Sequence, residues 1–315
     1  MQLHSVKIGG VTTPNNVFLA PLAGYTNAVF RSMCLSLGAG LTFTEMVSAK
    51  GLCYDSKGSR ELLSYTPEYS GVKAVQLFGS EPEFMQRAAC GEDVAPFDLI
   101  DINMGCPVPK IFKNGEGSAL LENIPLAQKL VASCKSSGKA VSVKFRIGIS
   151  DKDIVTADFA KAMEDAGADM ITIHGRTRDK MYSGEVNSAQ IAAAKSAVNI
   201  PVIANGGVFS AADADKLLSE TGADGVMIAR GAMYNPFVFA DICNVGVDDR
   251  GAVIQKQLDD TFSFFDGRFA TVYMRKMISF YIKGVQGAAN YRVKLMQAKT
   301  KDEIQRLLNQ VKDSL

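Results

Sequence analysis

The sequence predicts a (β/α)8 TIM barrel followed by a small C-terminal helical-bundle domain, and three observations predict it. Eight short apolar runs recur up to Ala229, each followed by a helical pattern. Strands of that kind, alternating with helices, form a parallel sheet buried on both faces. Polar residues close or follow every run, where a barrel gathers its functional side chains. From about Val245 the alternation stops and the remainder reads as helix. A doubly wound sheet is the alternative, weakened because the first turn lacks GxGxxG.

The elements follow in order. Residues 1–16 alternate and carry Gly9-Gly10, which suggests a small hairpin ahead of the first core strand. The runs are Val17–Ala20, Leu41–Thr44, Ala74–Phe78, Leu99–Ile102, Val141–Phe145, Met170–Ile173, Val202–Ala204 and Val226–Ala229. Amphipathic stretches such as Ala28–Leu37, Pro125–Cys134, Thr156–Ala166, Ser188–Ala197 and Ala211–Leu218 lie between them. A boundary falls at Asn244–Asp248, dividing a barrel over 1–244 from a helical domain over 245–315.

Composition bounds the function. The 315 residues are 47% hydrophobic and 21% charged, with a net charge of +1, so any signal for a polyanion must be local. None of the six cysteines forms a CxxC pair or has zinc-like spacing with His4 or His174. Free thiols in a reducing cytoplasm and no metal are expected. The polar amino terminus indicates neither a signal peptide nor a membrane span. A cytoplasmic monomer is the expectation.

The strand ends supply the candidate site. Pro21-Leu22-Ala23-Gly24 follows the first run and Glu45 the second, and Gln76 lies at the end of the third. Asn103 and Cys106 follow the fourth, Lys144 and Arg146 close the fifth, and His174 and Arg176 close the sixth. Cys106 sits on a Gly/Pro-punctuated loop with Lys110 and Lys113, a setting that argues against burial. Those cations favour thiolate, while a thiol left protonated serves equally well as an acid. Gly206 and Gly207 let backbone N–H groups approach an anion, and a helix starting near Ser210 adds its positive end. Ala229-Arg230-Gly231 offers a second small-residue turn with a guanidinium suited to phosphate. Lys144, ending a buried strand, would be a fixed positive charge beside a cofactor ring.

The tail is locally basic. From Arg268 to Lys301 stand eight basic residues and no acidic one, with Tyr273, Tyr281 and Tyr291 interleaved. On a nearly neutral protein this is an electrostatic footprint for nucleic acid.

These stretches resemble the tRNA-dihydrouridine synthases, along essentially the whole chain. The resemblance rests on Ala20-Pro21-Leu22-Ala23-Gly24-Tyr25-Thr26-Asn27, Asn103-Met104-Gly105-Cys106-Pro107 with Lys110, and Gly115-Glu116-Gly117-Ser118-Ala119-Leu120-Leu121. Val143-Lys144-Phe145-Arg146, Ile173-His174-Gly175-Arg176, Asn205-Gly206-Gly207 and the tail Met274-Arg275-Lys276 with Tyr281-Ile282-Lys283-Gly284 extend it. It implies an FMN enzyme that reduces the C5–C6 bond of particular uridines in tRNA, with NADPH as co-substrate and Cys106 as general acid on a loop that moves between half-reactions. It further implies that Pro21, Leu22, Ala23, Gln76, Lys144, His174, Asn205, Gly206, Gly207, Ala229 and Arg230 bind the cofactor. Asn103, Arg176, Arg275, Lys276 and Lys283 would contact the RNA. Met277 stands where the tail motif often has histidine, an RNA contact. The competing readings are an FMN-dependent dihydropyrimidine or dihydroorotate dehydrogenase acting on free bases, and a non-catalytic tRNA-binding protein.

Overall fold

In the computed structural model, which describes residues 1–312, a hairpin of β1 (Val6–Ile8) and β2 (Val11–Thr13) precedes eight parallel strands. These are β3 (Val17–Leu19), β4 (Leu41–Ser48), β5 (Lys73–Phe78), β6 (Leu99–Met104), β7 (Ala140–Arg146), β8 (Met170–His174), β9 (Val202–Asn205) and β10 (Gly225–Ile228). They close in chain order into a barrel, with β10 pairing to β3. Phe18, Leu41, Phe43, Ala74, Leu99, Ala140, Met170, Ile203 and Met227 fill its interior, and Val6 and Ile8 of the hairpin join them. Several of these are the first residues of their strands, so the hairpin plugs the amino-terminal end and the carboxyl end stays open. Residues one step along, such as Val75, Ile100, Val141 and Ile171, pack outward with the helices.

The second strand departs from expectation. It does not stop at Thr44 but runs to Ser48, with a register shift between Phe43 and Met46 against β5. Glu45 therefore lies within β4, at an irregularity of the kind that re-aims a side chain beside a site. Its carboxylate accepts the Gly24 N–H.

The tail forms helices Arg250–Phe264, Gly267–Tyr281, Ala288–Gln297 and Lys301–Asn309, and the last three residues of the 245–315 region lie outside the described residues. Asp266 caps the second of these, accepting from the backbone N–H of Arg268 and Phe269. Ile254, Leu258, Met274, Ile278 and Ile304 share one apolar cluster with the barrel's outer layer. Met277 is fully buried in it, so a side chain at this position faces the core rather than RNA. Among the described residues no helix is long and apolar enough to cross a membrane.

Candidate active site

One cavity of about 350 Å³ opens at the carboxyl end of the barrel. Lining it are Pro21, Leu22 and Ala23 after β3, Gln76 of β5, Asn103 and Cys106 at the end of β6, and Lys144 of β7. His174 and Arg176, Asn205, Gly206 and Gly207, and Ala229 and Arg230 complete the wall. The period of two explains the convergence. Ala140, Ser142, Lys144 and Arg146 climb the inside of β7, and only the last two reach the opening.

The backbone around Cys106 is held on both sides. Asn103 Oδ1 accepts from the N–H of Gly105 (3.2 Å) and of Cys106 (2.9 Å). Arg146 Nε donates to the Gly105 carbonyl (2.9 Å), and Ser118 donates to the Cys106 carbonyl from N (3.1 Å) and Oγ (2.9 Å). Gly117, at φ +61°, passes so close that a Cβ there would lie 2.9 Å from the Cys106 oxygen. The thiol thus sits on a turn whose backbone is hydrogen-bonded on both sides. It is also half-buried rather than free of burial. Burial pushes its pKa up, outweighing the Val108 N–H bond and the charges of Arg146 and Lys144 that pull it down. At neutral pH it is a protonated thiol.

Cations crowd the same space. Lys144 Nζ donates to Asn205 Oδ1 (3.1 Å), whose Nδ2 donates to the Met227 carbonyl (2.7 Å). Burial, with repulsion from Arg146, pulls Lys144 down to about 8. His174 is buried, and burial plus four surrounding cations keep its imidazole neutral. Arg176 Nη1 lies 3.4 Å from His174 Nε2; a guanidinium only donates, so the ring proton is on Nδ1. Arg176 also donates from Nε and Nη2 to the Gly184 carbonyl (3.0 and 2.9 Å), pinning the loop after β8. No acidic side chain lines the cavity among the described residues.

At the β9 and β10 turns, Gly206 and Gly207 adopt φ of +124° and +76°. The helix over Ala211–Thr221 does not offer a free positive end, contrary to expectation. Ser210 Oγ caps Asp213 N (3.2 Å), and the Asp213 carboxylate accepts from Phe209 N (3.0 Å). The Gly207 and Arg230 backbone amides, by contrast, have no acceptor among the described residues. Cations, unpaired amides and a neutral imidazole, without a carboxylate, suit a ligand carrying a dianionic phosphate and a carbonyl-bearing ring.

The dihydrouridine synthase (Dus) family model matches residues 18–315. The chain belongs to the dihydrouridine synthase family. A tRNA-dihydrouridine synthase B from Pasteurella multocida is 34% identical, covering 89% of this chain and 88% of that protein. A probable tRNA-dihydrouridine synthase 1 from Synechocystis is 35% identical over 97% of this chain and 88% of its own. Among solved structures, an old yellow enzyme homologue from Zymomonas mobilis superposes with a TM-score of 0.55 at 14% identity, covering 74% of this chain and 89% of that one, which shows a shared barrel fold.

In this chain the tail residues expected to meet RNA divide. Arg275 Nη1 donates to the carbonyls of Met296 (2.9 Å) and Ala298 (3.0 Å), closing the end of the helix Ala288–Gln297, which corrects its reading as an RNA contact. Lys276 Nζ donates to the Gly24 carbonyl (2.6 Å) and lies 3.9 Å over the Tyr25 ring. Lys283 stays exposed, 5.6 Å over the Tyr234 ring. Arg292 and Lys301 are likewise engaged, with Ser279 O (3.0 Å) and Asp259 (2.6 Å). The basic run is therefore less free than its composition suggests.

Sequence reasoning missed Asp101, Tyr182 and Phe209. Tyr182 and Phe209 line the cavity with Arg230 stacked 4.8 and 6.0 Å from their rings, in loops where no pattern marked them. Asp101 was detectable as a lone carboxylate inside the apolar run of β6, in step with Leu99 and Asn103.

Proposed function

We propose that this chain reduces the C5–C6 double bond of uridines in tRNA as an FMN-dependent oxidoreductase, with Cys106 giving the proton to C5. The observation that carries this reading is a protonated thiol opening onto the same cavity as a cluster of cations. Bound FMN, once reduced, supplies the hydride that adds at C6. Pro21, Leu22, Ala23, Gln76, Lys144 and His174 would border its ring. Asn205, Gly206, Gly207, Ala229 and Arg230 would border its phosphate, with the Gly207 and Arg230 amides as donors and Asn205 acting by holding Lys144.

Hydride at C6 leaves negative charge at C5 and O4, which needs an acid within reach. Cys106 meets that need because burial keeps it protonated. Lys144, still charged at neutral pH, offsets negative charge in the cavity. His174 donates only from Nδ1. Asn103 has one free Nδ2 hydrogen for the base, while Arg176 would act mainly by fixing the loop beside it. NADPH is the proposed reductant.

Residues 1–244 would be catalytic and 245–315 the RNA grip, in a cytoplasmic enzyme; six free cysteines fit a reducing compartment. A uridine enters a barrel mouth only after leaving its stack. Supporting this, the rings of Phe209 and Tyr234 lie 6.5 Å apart and nearly parallel, Tyr234 meets Phe280 edge-on at 5.2 Å, and Phe280 meets Tyr25 at 6.2 Å. With Lys283 beside it, this aromatic row suits unstacked bases. The test is dihydrouridine mapping in tRNA from a strain lacking the chain. Restoring the parent chain should restore specific sites, restoring Cys106→Ala should not, and tRNA unchanged by the deletion would refute the reading.

A further inference from the structure

Beneath the cavity lies a polar rung of which two members, Asp101 and Ser142, have no part in the proposed chemistry. Gln76, Asp101 and Ser142 sit side by side on β5, β6 and β7, in register. All three are buried, Asp101 completely. Ser142 Oγ donates to Asp101 Oδ1 (2.6 Å), and Gln76 Nε2 donates to Asp101 Oδ2 (2.6 Å). Gln76 Oε1 then accepts from Asn103 Nδ2 (2.8 Å), and Asn103 Oδ1 accepts from the Gly105 and Cys106 amides.

An amide side chain can face either way, and nothing in its shape decides between the two. A carboxylate cannot: it only accepts. Asp101 therefore turns the NH2 of Gln76 toward itself and its oxygen toward Asn103. Asn103 must in turn direct its NH2 to Gln76 and its oxygen to the Cys106 loop. Reversing the chain would set the Asn103 NH2 against two backbone N–H groups, donor against donor. Burial raises the Asp101 pKa to about 6, opposed by the Gln76 and Ser142 hydrogen bonds and by Lys144, and both carboxylate oxygens accept, as the ionised form does.

We infer that Asp101 is a positioning residue for Cys106: through Gln76 and Asn103 it fixes the hydrogen-bond polarity that holds the thiol-bearing turn over the cavity. Asp101 itself is buried and lies outside the cavity lining. The inference rests on Cys106 being the proton donor.

The test uses FMN-loaded full-length protein. Asp101→Asn keeps the shape but replaces a group that only accepts with one that can face either way, so the polarity is no longer imposed from this end. Uridine reduction by the pre-reduced enzyme should slow about ten- to a hundredfold, as for a reacting group misplaced by about 1 Å. The rate of FMN reduction by NADPH should hold, and iodoacetamide should alkylate Cys106 faster. Ser142→Ala removes a bond to the same carboxylate but leaves the polarity, so it should behave as the parent. Combining Asp101→Asn with Gln76→Glu moves the carboxylate one place along the chain of bonds. The amide introduced at position 101 then donates to the carboxylate introduced at position 76, and that carboxylate accepts from Asn103. Alkylation of Cys106 should return to the parent rate. Equal losses in Asp101→Asn and Ser142→Ala, parent-like uridine reduction in Asp101→Asn, or no recovery in the double variant would each overturn the inference. Cys106→Ala run alongside separates the two readings: if it keeps the parent rate, it is the acid assignment that fails.

Discussion

Replacing Cys106 with alanine tests the assigned acid most directly, and the structure fixes both the size and the pH shape of the result. A positioned general acid contributes about 10²- to 10⁴-fold, and the turn carrying Cys106 is anchored through its backbone, which alanine leaves intact. Cys106→Ala should therefore bind FMN and tRNA as the parent does while slowing uridine reduction by about that factor. The thiol pKa is raised, chiefly by burial. A proton donor works in its protonated form, so the single-turnover rate of the pre-reduced enzyme should stay level through neutral pH. It should fall only above the ordinary thiol range of about 8.5, and the Ala variant should lose that alkaline limb. Stopped-flow flavin reoxidation with tRNA across pH reads both. A rate that instead rises with pH through this range would mean the thiolate is the working form, and a parent-like rate for the variant would remove Cys106 from the chemistry.

Three further outcomes follow from the same geometry. Lys144, lowered to about 8, is charged below that pH and neutral above it; FMN affinity in a fluorescence titration should fall as pH rises past about 8, and Lys144→Met should bind weakly at every pH with that dependence gone. Phe209→Ala removes an exposed ring of the aromatic row. It should raise the KM for tRNA by about five- to a hundredfold, from about 1–3 kcal/mol per stacked base, with FMN reduction by NADPH unchanged; an unchanged KM counts against the row as an RNA surface. Lys276→Met should weaken FMN binding by about tenfold or more through loss of one charge-assisted bond of about 1.5–3 kcal/mol. A change confined to the salt dependence of tRNA binding would instead make Lys276 an RNA contact.

The barrel was legible because it rests on period and alternation, which tertiary context reinforces. Each apolar run became a strand, and the polar residues closing those runs, Glu45 apart, share one cavity. Local patterns failed where the deciding partner is distant in the chain. Glu45 sits inside β4 because the strand bulges against β5, which no run of residues 41–44 announces. Ser210 promised a free helix end, but Asp213 three residues on closes it. Arg275 reads as a surface cation, and only the approach of Met296 and Ala298 shows that it closes another helix. The Cys106 pKa is a contest between neighbouring cations and burial, and sequence displays only the cations.

The helical tail and the cavity wall are mechanically one piece. The Gly24 peptide is gripped from both sides, its N–H by Glu45 and its carbonyl by Lys276, and the next carbonyl, of Tyr25, accepts from the buried Tyr273 hydroxyl (2.6 Å). Pro21, Leu22 and Ala23, which line the cavity, lie immediately before that clasp. The helix Gly267–Tyr281 carries both donors and buries Met274 and Ile278 in the barrel's own outer core. Deleting the tail would thus strip the cofactor turn of two anchors and expose apolar surface, so loss of activity in such a truncation says nothing specific about RNA. A point change at Lys283, exposed and outside the cavity lining, leaves the clasp whole, and it is the perturbation that can separate gripping RNA from holding the cofactor.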